Sequence, residues 1–223
     1  MFGGLDGILT SFAIVAGATG GNLSGKAILV LGLSNILADA LAMGCGEFLS
    51  SKAHNDWVLS ERSREAWEMA NHPLGEIQEM IDIYENRGMS RHDATIVVEK
   101  MATYPDFFVD VMMAEELQLQ LPSPDHRWES FKEGCIMFVS FATFGLLPIL
   151  GYILIPLFVP SIPASSLFSC ACVVTGISLF VLGSVKSIFS NGNWFLSGAE
   201  TLLLGGACAT IAFWVGLLVE KHA

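Results

Sequence analysis

Apolar residues gather in five blocks, approximately 5–21, 27–50, 134–159, 164–189 and 199–219. Each approaches the ~20 residues that a helix needs to cross about 30 Å of hydrocarbon. Between the second and third blocks the pattern changes to mixed polar and apolar positions at helical spacing. The second block meets no breaker after Ser50, which predicts one helix over about 27–70, ended by Pro73 and Gly75. Further helices are expected over 74–86, stopped by Gly88; from Ser90, an N-cap with Asp93 three residues on, to about 103; and over 106–120 after Pro105. Pro122 and Pro124 then break the chain, and Pro148 and Pro156 should kink or end the third span. No segment alternates with period two, so strands are not expected. The reading is an all-α integral membrane protein with five transmembrane helices. Residues 1–51 form the first two, 52–130 a helical cytosolic metal-binding insert, and 131–223 the last three.

Within the second block, Asn35, Asp39, Met43 and Glu47 recur every fourth residue. Such spacing lays them along one slowly rotating stripe of a helix. A carboxylate at the centre of a bilayer costs at least about 2.5–3.5 kcal/mol, so two on one face call for a cation, a proton or a wet path. The stripe reads as an ion pathway. In the same terms Asp39 could instead hydrogen-bond to Ser34 or Asn35, Met43 could fill space, and Glu47 could be interfacial.

Composition supports the membrane setting: of 223 residues, 52% are hydrophobic and only 15% charged. The net charge of −11 belongs mostly to the insert, because residues 52–133 carry 17 of the 22 acidic residues and 8 of the 11 basic ones. That surface repels nucleic acid and attracts cations. Lys52, Arg62, Arg64, Arg127 and Lys132 flank the insert, whereas the opposite links carry little beyond Lys26, so the positive-inside rule turns the insert to the cytosol. The first block has no basic leader and is interrupted by Asp6, which argues against a cleavable signal peptide. Cys45, Cys135, Cys170, Cys172 and Cys208 all fall in apolar blocks without a CxxC pair, and read as helix packing rather than as disulfides or zinc ligands. Gly17, Ala18, Gly20 and Gly21 would suit a dimer seam in the first span, as Gly205 and Gly206 would suit a close helix contact in the fifth.

In the insert, Glu61, Glu65 and Glu68 share one helix face with His72 a turn further on; Glu76 and Glu79 are three apart; Met112, Met113 and Glu116 cluster on the last helix. Carboxylates three or four apart can chelate one divalent ion, although singly such pairs are more often a solvated face. Their repetition on two helices, where like charges are mutually destabilising, favours bound metal.

The opening Asp6-Gly7-Ile8-Leu9-Thr10-Ser11-Phe12-Ala13-Ile14-Val15-Ala16-Gly17, the segment from Leu37 to Ser50 with Asp39, Met43 and Glu47, and the Glu-rich insert together resemble the vacuolar iron transporter family. The resemblance covers essentially the whole chain. It implies a homodimer in the vacuole membrane that moves ferrous iron from the cytosol in exchange for protons, with manganese, zinc and cobalt as further candidate cargo and no catalytic cofactor. It also implies Asp6 and Met43 as pore residues at the dimer interface. To the cytosolic metal site it assigns Glu65, Glu68, Glu76, Glu79, Met112, Met113 and Glu116. Asn35 is a departure, since some members carry an acid there.

Ferrous iron accepts carboxylate oxygen and tolerates a soft thioether, whereas calcium and magnesium prefer oxygen alone. Asp6, Asp39 and Met43 therefore suit iron. The expected function is a proton-coupled divalent metal transporter; the alternative is a membrane-anchored metal-sensing or metal-buffering protein without transport. An enzyme is not expected, as no HExxH, GxSxG or redox-cofactor motif occurs.

Overall fold

The structure, a computed structural model, describes residues 2–158, 163–190 and 192–222. Every regular element among them is a helix: α1 Phe2–Gly20, α2 Gly25–Asn71, α3 Pro73–Asn86, α4 Arg91–Ala102, α5 Pro105–Glu115, α6 His126–Gly145, α7 Leu147–Phe158, α8 Ala164–Ser190 and α9 Trp194–His222. The chain divides into two compact units, Met1–Glu47 with Lys132–Ala223, and Phe48–Phe131.

Three helices among the described residues, α2, α8 and α9, are each long and apolar enough to cross a membrane. α6 and α7 meet the same test only together, as a pair bent by 47° at the break between them. The bend follows from Pro148, which cannot donate to a carbonyl one turn earlier, so the ladder breaks at Leu146. Pro156 lies inside α7, and the expected end of this span at Val159 falls outside the described residues. α1, 19 residues long, is not among the helices that meet this test. It is nevertheless a core helix: Ile8, Ser11, Val15 and Ala16 are buried. Outward positions such as Leu37, Ile177, Leu203 and Ile211 are exposed, a distribution that suits a hydrocarbon surrounding.

The glycines of α1 correct one expectation. They do not form a free seam for a second copy, because α9 of the same chain already occupies it. A Cβ on Gly17 would lie 3.3 Å from the Ala212 carbonyl oxygen, and one on Gly20 or Gly216 would collide with the facing backbone. Gly7 meets α6 in the same way, a Cβ there falling 2.5 Å from the Phe141 carbonyl oxygen and 3.1 Å from the Gly145 nitrogen. Because backbone cannot yield as a side-chain tip can, Gly7→Ala should cost about 1–3 kcal/mol. A lowered melting temperature of the detergent-solubilised chain would register it, and an unchanged one would show that the helices separate freely.

In the second unit α3, α4, α5 and the end of α2 surround Met80, Ile81, Ala94, Val98, Phe108 and Met112. Ser90 caps α4, its hydroxyl accepting from the Asp93 amide. α3 starts at Pro73 and contains Gly75, so these residues open the next helix as well as end α2. α5 stops at Glu115 rather than near Gln120: Gln118 turns left-handed at φ 54°, and the Leu117 and Leu119 amides bond back to the Met112 and Met113 carbonyls. Glu116 is therefore the C-cap of α5, at a point where the chain leaves the helix.

Candidate metal site and transport stripe

Three helices bring one carboxylate each to a common point in the second unit. Glu65 from α2, Glu76 from the first turn of α3 and Glu116 from the end of α5 offer oxygens that all lie within 4.8 Å of one another. Glu65 is 1% and Glu76 8% exposed. One oxygen of Glu65 and one of Glu116 are buried without a hydrogen-bond partner. Burying an ionised oxygen unpaired is expensive, and a cation within reach of all three groups would remove the cost. Burial, then repulsion from Glu79, Glu65, Glu116 and Glu68, pushes the Glu76 carboxyl up to about 7. Glu116 is raised too, first by burial and then by Glu65, Glu79 and Glu68.

The other expected ligands divide. Glu68 is half-buried and Glu79 exposed, yet both act electrostatically on the triad. Glu61 is drawn away to Arg64 at 3.0 Å. Met112 is packed in the apolar cluster, as a core residue would be, and Met113 is fully buried. His72, exposed at the N-cap of α3, packs edge-to-face with Trp67 and is not among the converging carboxylates.

In the first unit Asn35, Asp39, Met43 and Glu47 do fall on one stripe of α2, all half-buried, beside the buried row Gly32, Ile36, Ala40 and Gly44. The Asn35 amide donates to Asp39 Oδ2 at 2.6 Å, one of the bonds the sequence left open for Asp39. Asp6 on α1 lies near enough to Asp39 for their charges to interact. Two carboxylates from different helices thus share one region of an apolar bundle.

Residues 1–217 match the VIT family. A vacuolar iron transporter of Toxoplasma gondii is 43% identical over 226 residues, covering 99% of this chain and 73% of that protein. The chain belongs to the VIT family. A vacuolar iron transporter of Plasmodium falciparum is 37% identical over 223 residues, covering 100% of this chain and 81% of its own length, and vacuolar iron transporter 1 of Arabidopsis thaliana 30% over 215, covering 96% and 82%. Membership puts this VIT-family protein among transporters rather than enzymes.

Sequence reasoning used Arg64 only as a topological marker and missed its place in the site. Its spacing, three residues after Glu61 and four before Glu68, was the available signal.

The raised Glu76 carboxyl has consequences of definite sign. Between about pH 4.5 and 7 the folded, metal-free state holds a proton there that the unfolded chain has released, so stability falls as pH rises through that window. A divalent ion held by Glu76 would have to displace the same proton. Cobalt affinity measured by calorimetry should therefore weaken as pH is lowered below about 7, with proton release on binding read from the dependence on buffer ionisation heat. Affinity flat over that range would remove Glu76 from the ligand set.

Proposed function

We propose that this VIT-family chain carries ferrous iron from the cytosol into a vacuole, exchanging it for protons. The observation that carries the reading is the convergence of Glu65, Glu76 and Glu116 with two unpartnered buried oxygens, in a family whose curated relatives are named vacuolar iron transporters. Residues 52–130 act as the cytosolic capture domain, turned that way by the basic residues at its flanks. Glu68 and Glu79 add negative potential around the triad, and Met112 or Met113 supplies a thioether if the core opens. Residues 1–51 and 131–223 form the membrane domain, with α1 as its fifth span.

Asp6, Asp39, Met43 and Glu47 line the route, and Asn35 orients Asp39 through the hydrogen bond between them. The stripe is half-buried while its neighbours Leu37, Ala38 and Leu41 are exposed. A carboxylate on a lipid-facing surface is costly, and a second copy laid against α2 would enclose it, which supports a homodimer in the vacuole membrane. A carboxylate deprotonated on the neutral side holds the cation; reprotonation on an acidic side expels it, so one set of groups couples both flows. Oxygen donors with one thioether also admit manganese, cobalt and zinc as cargo.

Proteoliposomes loaded at acidic pH and bathed in neutral buffer test this. Ferrous iron should enter with outward proton movement, and collapse of the pH gradient should remove accumulation. Accumulation indifferent to the gradient would overturn the coupling.

A further inference from the structure

Arg64 sits against the carboxylate cluster. Its Nη2 lies 3.0 Å from Glu61 Oε2 and 3.1 Å from Glu65 Oε1, and its Nε lies 3.8 Å from Glu68 Oε1. The side chain is 53% exposed, whereas the Glu65 side chain it grips is 1% exposed. Arg64 thus reaches from the rim toward a buried acid and satisfies one oxygen, leaving Glu65 Oε2 without a partner. Its charge is also felt at Glu116. A guanidinium is too large and too rigidly planar to serve three converging oxygens as a metal ion does. Its own head is half in water and its contacts to Glu61 and Glu68 are partly solvated, so a cation that takes over the charge of buried Glu65 can displace it.

We propose that Arg64 is a tethered countercharge that competes with the incoming divalent ion for Glu65 and Glu68, so that the capture domain of residues 52–130, the head, holds its cargo loosely enough to pass it on. The proposal rests on the reading of Glu65, Glu76 and Glu116 as a metal site. Without metal, Arg64 lowers the repulsion among acids packed on one helix face. With metal bound, the guanidinium sits beside a dication and weakens its retention. A capture domain that feeds a transporter needs this compromise: a cluster of uncompensated glutamates would be a sink. Lysine would keep the charge but lose the forked grip on two carboxylates.

The test is cobalt binding to the full-length protein in detergent, by isothermal titration calorimetry. R64Q should bind cobalt about tenfold more tightly than the unaltered protein, because a unit positive charge is removed from the ion's surroundings at a partly solvated site. R64K should stay within about threefold of it. The gap between R64Q and the unaltered protein should narrow as sodium chloride is added. Glutamine matches arginine in helix propensity, and R64A provides a second neutral variant with no side-chain polarity of its own. Neutral variants that bind cobalt equally or more weakly, while the unaltered protein binds it, would overturn the countercharge alone and leave Arg64 a positioning residue. No cobalt binding by the unaltered protein would overturn the metal-site reading and this inference together.

Discussion

Replacing Asp6 with asparagine should cut iron flux into proteoliposomes by ~100-fold or more, equivalent to about 2.7 kcal/mol of lost barrier stabilisation. The swap keeps side-chain size and removes one of the two carboxylates that interact between α1 and α2. Asp39, already engaged by the Asn35 amide, would then face the cation alone. Met43→Ala should have a comparable effect with a different signature. Loss of the thioether removes the soft donor, so iron and cobalt flux should fall more than manganese flux. In both variants cobalt binding by the head should be unaltered, as Glu65, Glu76 and Glu116 are untouched. Normal flux in both would remove the pathway reading. If the unaltered protein itself carries no iron under an imposed gradient while its head binds metal, the membrane-anchored sensor is the better description.

The second large effect belongs to the head. Glu65→Gln combined with Glu76→Gln should weaken cobalt binding by ~100-fold or more, since two of three converging charges are gone and charge-assisted contacts are the strong ones. Transport should then need far more metal for half-maximal flux but retain part of its maximal rate, because the stripe residues remain. The same double variant should be more stable than the unaltered protein when metal is absent, as unpaired buried charge has been neutralised. Equal cobalt affinity before and after the change would reduce the triad to a buried acidic cluster.

The helices were largely legible because breakers and caps are local. Nothing from Glu47 to Asn71 interrupts α2, and Ser90 with Asp93 announces α4. The early end of α5 was not legible, since Leu117, Gln118 and Leu119 have no intrinsic reason to stop a helix; backbone bonds to Met112 and Met113 decide it. In the site, the spacing of Glu61, Glu65 and Glu68 gave a shared face but not its division. Arg64 bonds both Glu61 and Glu65, yet only Glu65 also meets Glu76, across the α2–α3 turn, and Glu116, about fifty residues further along the chain. Periodicity can align neighbours on one helix, but convergence of three helices is a tertiary fact. The α1 glycines carry the same lesson: their smallness was plain, their partner was not, and that partner is α9.

That last contact limits how the bundle can move. From Gly17 to Gly20, α1 lies so close to α9 at Ala212, Phe213 and Gly216 that a Cβ on either glycine would meet the facing backbone. Interlocked surfaces of this kind do not slide, because any shift along the axis drives main chain into main chain. α1 and α9 therefore travel as one rigid body. An opening that changes the surroundings of Asp6 must either swing both helices together or leave them still and move the α2 side of the path.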